Sequence, residues 1–168
     1  MNKCKRILEI GTLGGYSAIW FAKALPSDGK LITLELDPKH ASIAESNIKN
    51  AGFENVVEVR VGPALESLDK MAKESPEPFD MVFIDADKEN NVGYLKWALE
   101  FSHVGTLIVV DNIVRQGRLV DLENKDPSIT GVREVLDLMK REKRLEFTGV
   151  QTVGSKGWDG FAMGLVIG

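Results

Sequence analysis

A chain of 168 residues, 43% hydrophobic and 27% charged, is long enough to bury one sizeable core and too apolar to be disordered. Its 21 Lys and Arg against 25 Asp and Glu leave a net charge of −4, which argues against a phosphate-binding surface and hence against nucleic acid as a partner. One cysteine, Cys4, and two histidines, His40 and His103, exclude an internal disulfide and a Cys/His zinc site and suit a reducing compartment.

The basic start leads into an apolar run that Glu9 breaks, and no small-residue cleavage site follows, so no signal peptide is expected. No stretch approaches the ~20 apolar residues of a membrane helix. The expectation is a soluble, cytoplasmic protein with one domain over residues 1–168.

In chain order, the apolar runs Arg6–Ile10, Lys30–Leu36, Val56–Val61, Phe79–Asp85 and Thr106–Asp111 read as buried strands. Between them, Gly15–Leu25, Pro38–Ala51, Ala64–Lys73 and Glu89–Phe101 read as helices long enough for right-handed crossovers. The repeated βα pattern predicts a mainly parallel sheet covered on both faces. A polar loop over Ile113–Thr130 follows, then a helix over Gly131–Arg144. The last runs, Glu146–Val153 and Phe161–Ile167, are joined by a short segment with Gly154, Gly157 and Gly160, so they are expected to pair as an antiparallel hairpin.

Three places carry chemistry. After the first strand, Gly11-Thr12-Leu13-Gly14-Gly15 makes a glycine-rich strand-to-helix turn where a nucleotide-like ligand can approach the backbone, although its spacing is not that of dinucleotide binders. Glu35 ends the second strand, where an acid can accept hydrogen bonds from both ribose hydroxyls of an adenosine ligand. The fourth and fifth strands end at Asp85 and at Asp111-Asn112. If those strands are neighbours, three hard oxygen donors converge and suit Mg²⁺ or a similar ion. Lys88 lies three residues beyond Asp85, and a lysine near a dication loses its proton more readily and can serve as a base.

Taken together these residues resemble the cation-dependent O-methyltransferases that use S-adenosylmethionine, the group containing catechol O-methyltransferase and the plant caffeoyl-CoA O-methyltransferases. The resemblance covers essentially the whole chain. It rests on Leu8-Glu9-Ile10-Gly11 with Gly15-Tyr16-Ser17, on Leu34-Glu35, on Gly62-Pro63-Ala64-Leu65, on Phe83-Ile84-Asp85-Ala86-Asp87-Lys88, and on Asp111-Asn112 with Gly117.

The resemblance implies a Rossmann-like class I methyltransferase fold: a mainly parallel seven-stranded sheet with a C-terminal antiparallel hairpin and helices on both faces. It implies cofactor contacts from Glu9, Gly11, Ser17, Glu35, Ala64, Asp85 and Asp87. It further implies Asp85, Asp111 and Asn112 as ligands of Mg²⁺, Mn²⁺ or Ca²⁺, and a catalytic pair of Asp85 with Lys88, the lysine being the base. The expected acceptor class is a catechol, caffeoyl or flavonoid phenol with adjacent oxygens, with Trp158 and the Ile113–Thr130 loop expected to contact it. Family members usually carry a helical segment before the first strand, whereas here that strand begins almost at Met1. An open ligand edge and a covering homodimer are therefore expected. Two other readings share some of these features: a non-catalytic module that binds S-adenosylmethionine or a partner chain, and a nicotinamide-dependent oxidoreductase, which leaves Asp85 and Asp111-Asn112 unexplained.

Overall fold

The aliphatic and β-branched runs form strands, as their side chains favour: β1 (Arg6–Ile10), β2 (Lys30–Glu35), β3 (Val57–Val61), β4 (Phe79–Ile84), β5 (Ser102–Asp111), β6 (Leu145–Gly154) and β7 (Gly157–Val166). Among the described residues, five α-helices alternate with them: α1 (Tyr16–Ala24), α2 (Pro38–Asn50), α3 (Ala64–Lys73), α4 (Asn91–Glu100) and α5 (Pro127–Arg141). The computed structural model describes residues 4–74, 76–155 and 157–168. The strands form one seven-stranded sheet in the order β3-β2-β1-β4-β5-β7-β6. Pairing is parallel for β1 with β2 and for β2 with β3, and antiparallel for β5 with β7 and for β6 with β7. The expected mixed sheet and C-terminal hairpin are thus present.

The chain divides into two compact units, Met1–Val82 and Phe83–Gly168. In the first, Ile7, Leu31 and Val57 from three strands bury against Ala18 and Ala22 of α1 and Ala44 and Ile48 of α2. Burial of each larger aliphatic side chain stabilises the unit by roughly 1.5 to 3 kcal/mol. The small residues let the helices sit close. Gly15, at φ 80°, precedes α1, a left-handed conformation that favours glycine, and a Cβ there would lie 3.3 Å from the Ala44 Cβ, a tight contact. Asp37 starts α2 by accepting from Lys39 N at 2.7 Å, with Pro38 at the first helical position.

In the second unit, α5 buries Ile129, Val132, Val135 and Met139 on one face, the spacing of an amphipathic helix. It packs on α4 and on the short 3₁₀ turn Lys88–Asn90. The helix begins four residues earlier than the sequence pattern suggests, because Asp126 caps it by accepting from Ser128 N at 2.9 Å and Pro127 takes the first turn. Two strands are also longer than expected. β5 starts at Ser102, ahead of its aliphatic run, and β7 takes in Gly157, Trp158, Asp159 and Gly160. Gly154 pairs with Gly157, so these glycines continue the ladder. Among the described residues, no helix is long and apolar enough to cross a membrane.

Candidate active site

The C-terminal ends of β1 and β2 hold a network of polar side chains inside an otherwise aliphatic layer. Glu9, fully buried, accepts from Ser17 Oγ through Oε1 and from Thr33 Oγ1 at 2.6 Å through Oε2. Thr12 Oγ1 lies 2.6 Å from Thr33 Oγ1. A buried carboxylate needs such donors, since burial without them is costly. Gly11 follows β1 at φ 104°, and its N–H donates to Leu34 O at 3.0 Å.

Glu35 is 8% exposed and grips the glycine turn. Its Oε2 accepts from Leu13 N at 2.8 Å and Thr12 N at 3.2 Å, while Oε1 accepts from Asp37 N at 2.9 Å. His40 Nδ1 lies 3.6 Å from that Oε1. The main chain of Glu35 reaches the next element, because Gly62 N donates to Glu35 O at 2.8 Å. That bond sets the turn that leads into Ala64, the half-buried first residue of α3. Glu9, Gly11, Ser17, Glu35 and the Ala64 turn are therefore gathered in one unit, joined by Thr12 and Thr33, which the sequence expectations do not include. Thr33 carries a readable signal: it is the polar side chain in the middle of Leu31-Ile32-Thr33-Leu34.

In the second unit, Asp85 follows β4 and Asp111 ends β5. Lys88, only 7% exposed, places Nζ 2.9 Å from Asp85 Oδ1. Burial pushes the Asp111 carboxyl up, and the nearby charges of Asp85 and Asp159 act in the same direction. The hydrogen bond from Asn112 and the Lys88 ammonium pull it back. Asp85, Asp111 and Lys88 thus share one electrostatic neighbourhood. Asn112 adopts φ 58°, and its N–H donates to Asp111 Oδ1 at 2.7 Å. Positive φ is uncommon outside glycine, and Asn tolerates it better than most residues.

The donor set is two carboxylates and an amide. Among the described residues there is no group of three or more His, Cys, Asp or Glu suited to a metal. The donor chemistry suits a hard cation: the Asp85 and Asp111 carboxylates repel one another with the Lys88 ammonium near both, and each of the three side chains offers oxygen. Asp87 stands apart from this set. Its oxygens accept from Asn90 Nδ2 at 2.6 Å and from Tyr94 OH at 2.5 Å. Burial, with Asp87 beside it, pushes the Tyr94 phenol up.

Beside Asn112 opens a cavity of about 500 Å³, whose wall includes Arg115, Gln116, Arg118, Trp158 and Asp159. Trp158 therefore shares a wall with Arg115, Gln116 and Arg118 of the Ile113–Thr130 segment. The segment is held from two sides. Asp159 Oδ1 accepts from the N–H groups of Val114 and Arg115, both at 2.9 Å, and of Gly160 at 3.0 Å. Arg133 donates to the carbonyls of Leu119 and Asn124 at 2.9 Å each, and to those of Arg118 and Asp121. Neither anchor is visible in the sequence pattern.

A family model described as O-methyltransferase matches residues 1–158. The chain is 49% identical to the catechol O-methyltransferase of Mycobacterium tuberculosis over 98% of its own length and 73% of that protein's. An O-methyltransferase from Bacillus cereus, solved in complex with SAH, superposes with a TM-score of 0.96 at 52% identity, covering 98% of this chain and 74% of that one. The O-methyltransferase TomG from Streptomyces achromogenes, solved in complex with SAM, superposes equally well, at 0.96 and 44% identity, over 99% of this chain and 74% of its own.

Proposed function

The chain belongs to the O-methyltransferase family, and we propose that it moves the methyl group of S-adenosylmethionine to a hydroxyl of a catechol-like phenol with the aid of a divalent cation. The observation that carries this reading is the buried Lys88 paired with Asp85 within electrostatic reach of Asp111. Support for the cofactor comes from relatives solved with SAH and SAM, and for the acceptor from a relative named for catechol.

When bound, S-adenosylmethionine supplies an activated methyl group and a divalent ion supplies Lewis-acid polarisation of the acceptor oxygens. Asp85, Asp111 and Asn112 are the residues to hold the ion through hard oxygen donors. Asp87, kept in place by Asn90 and Tyr94, and the Glu9–Ser17 pair serve the cofactor. Glu35 Oε2 is occupied by two N–H groups, whereas Oε1 has one backbone donor and so keeps capacity for a ribose hydroxyl. Lys88, in its neutral form, takes the proton of the attacked hydroxyl at Nζ. Asp85 at 2.9 Å then stabilises the ammonium that results.

The test is methyl transfer from S-adenosylmethionine to catechol with Mg²⁺ and with excess chelator. Methylated product that disappears with chelator is expected. No product in the presence of Mg²⁺ overturns the acceptor class, and full activity in chelator overturns the role of the ion.

A further inference from the structure

The two edge strands of the sheet are unlike. β3, at one edge, has five residues and carries Glu58 and Arg60, and its short length and charges guard its unpaired side. β6, at the other edge, runs ten residues from Leu145 to Gly154 with no Pro, Lys or Arg, and its one charge is Glu146, near the start. Its pairing with β7 is unbroken, from Leu145 with Val166 to Gly154 with Gly157, so no bulge bends the strand away. Every residue from Glu146 to Gly154 is exposed. Three of them are apolar side chains: Phe147 and Val150 at 37% and Val153 at 80%. Among the described residues no strand lies on the open side of β6, where an edge leaves a row of backbone N–H and C=O groups for a partner strand.

We propose that β6 pairs antiparallel with β6 of a second copy of this chain, about a two-fold axis that passes through Val150 normal to the sheet. Such an axis sets opposite one another the residues equidistant from its centre, and it keeps each face of the sheet on the same side in both copies. Centred on Val150, it places Val150 against its own counterpart, Phe147 against Val153, Thr148 against Thr152, and Glu146 against uncharged Gly154. On one face the two Val150 side chains meet, each flanked by the Phe161 that it pairs with in β7. On the other face Phe147 meets Val153, which is flanked by Trp158. Aromatic and β-branched pairs of this kind stabilise antiparallel ladders, and no like charges stand opposite. The neighbouring registers lose this match: a centre at Gly149 sets Phe147 against Gln151 and Glu146 against Thr152, and a centre at Gln151 sets Val153 against Gly149. The pairing is independent of the methyl-transfer reading above.

Sedimentation velocity of the full chain over a concentration series is expected to show a reversible equilibrium between monomer and dimer. Val150→Lys sets two ammonium groups directly opposite one another and is expected to weaken association by about tenfold or more. Its far-UV circular dichroism and thermal midpoint should match those of the parent chain, since the position is exposed. Oxidation with glutathione disulfide reads the register, with Cys4→Ser as background. Val150→Cys is expected to give a disulfide-linked dimer, because directly opposite residues bring their Cα atoms within disulfide range. Glu146→Cys, roughly 27 Å from its counterpart in the Val150-centred register, is expected to give none. A chain that stays monomeric at every concentration, a dimer that Val150→Lys leaves intact, or the absence of a crosslink at position 150 overturns the proposal. Crosslinking through position 146 overturns the register. Growth past the dimer marks open strand addition in place of a closed pair and overturns the two-fold. Should Val150→Lys disturb the fold, the two cysteine variants decide.

Discussion

Lys88 is a lysine with almost no solvent contact, held 2.9 Å from a carboxylate that is itself 40% exposed. Position alone does not separate a base from a structural ion pair, but substitution does. Lys88→Arg keeps a cation for Asp85 yet cannot release a proton near neutral pH, while Lys88→Met keeps the volume without the charge. Both are expected to lower kcat by about 10²- to 10⁴-fold, the usual worth of a positioned base, with cofactor affinity retained in equilibrium titration. A Lys88→Arg enzyme at full rate would show that only the charge matters. Glu35 raises a different question, because its carboxylate orders Thr12 and Leu13 and is also the group proposed above to receive the ribose. In Glu35→Gln the amide presents a donor where a backbone N–H already donates, so the turn and the ribose contact are lost together. S-adenosylmethionine affinity is expected to fall by one to two decades, about 1.5 to 3 kcal/mol; calorimetry showing equal affinity removes Glu35 from the site.

Helix α5 sets the position of Lys88 by proximity. A Cβ on Gly131 would lie 2.1 Å from Lys88 O and 2.9 Å from Glu89 Cα, a backbone approach that no side chain can relieve by rotating. Gly131→Ala is expected to destabilise the fold by about 1 to 3 kcal/mol, the range for overpacking. It should also depress kcat more than the affinity for S-adenosylmethionine. Denaturant melts and kinetics on the same preparation check this, and an alanine variant of unchanged stability and kcat would refute it. The other end of α5 responds to pH. The Arg144 guanidinium and backbone N–H beside Glu142 hold its carboxyl down to about 2. Because the folded value lies below the unfolded one, the stability it lends is present above about pH 4.5 and lost as the pH falls toward 2. The pair is near the surface, so its worth is below about 1 kcal/mol. Glu142→Gln should therefore flatten the acid limb of the stability curve between those values and leave it unchanged in shape near pH 7. An acid limb identical to that of the parent chain would show that the pair contributes nothing.

At the scale of the whole molecule, the two polar networks belong to different units of the chain: Glu9, Thr33 and Glu35 lie in one, and Asp85, Lys88 and Asp111 in the other. They share no residue, so their functions should separate. Asp111→Ala is expected to abolish methyl transfer to catechol while S-adenosylmethionine affinity stays within a few-fold, and excess chelator should act in the same way. Full activity of Asp111→Ala, or joint loss of both functions, contradicts the separation.

Much of this arrangement is readable along the chain. Apolar runs that stop at Glu35, Asp85 and Asp111, together with the acid Glu9 near the end of the first run, mark both the strands and the strand ends on which the acids collect, since alternation and β-branching act over a few residues. The start of α5 is also written locally, in Asp126-Pro127, but the polar segment around it reads as loop. What local pattern does not convey is which distant groups meet. Asp159 reaches back to the N–H groups of Val114 and Arg115, Arg133 gathers four carbonyls of the preceding segment, and Gly131 lets a helix touch the backbone of Lys88. Each contact depends on the packing of complete elements, whose side chains settle their partners only when desolvation obliges buried donors and acceptors to find one another.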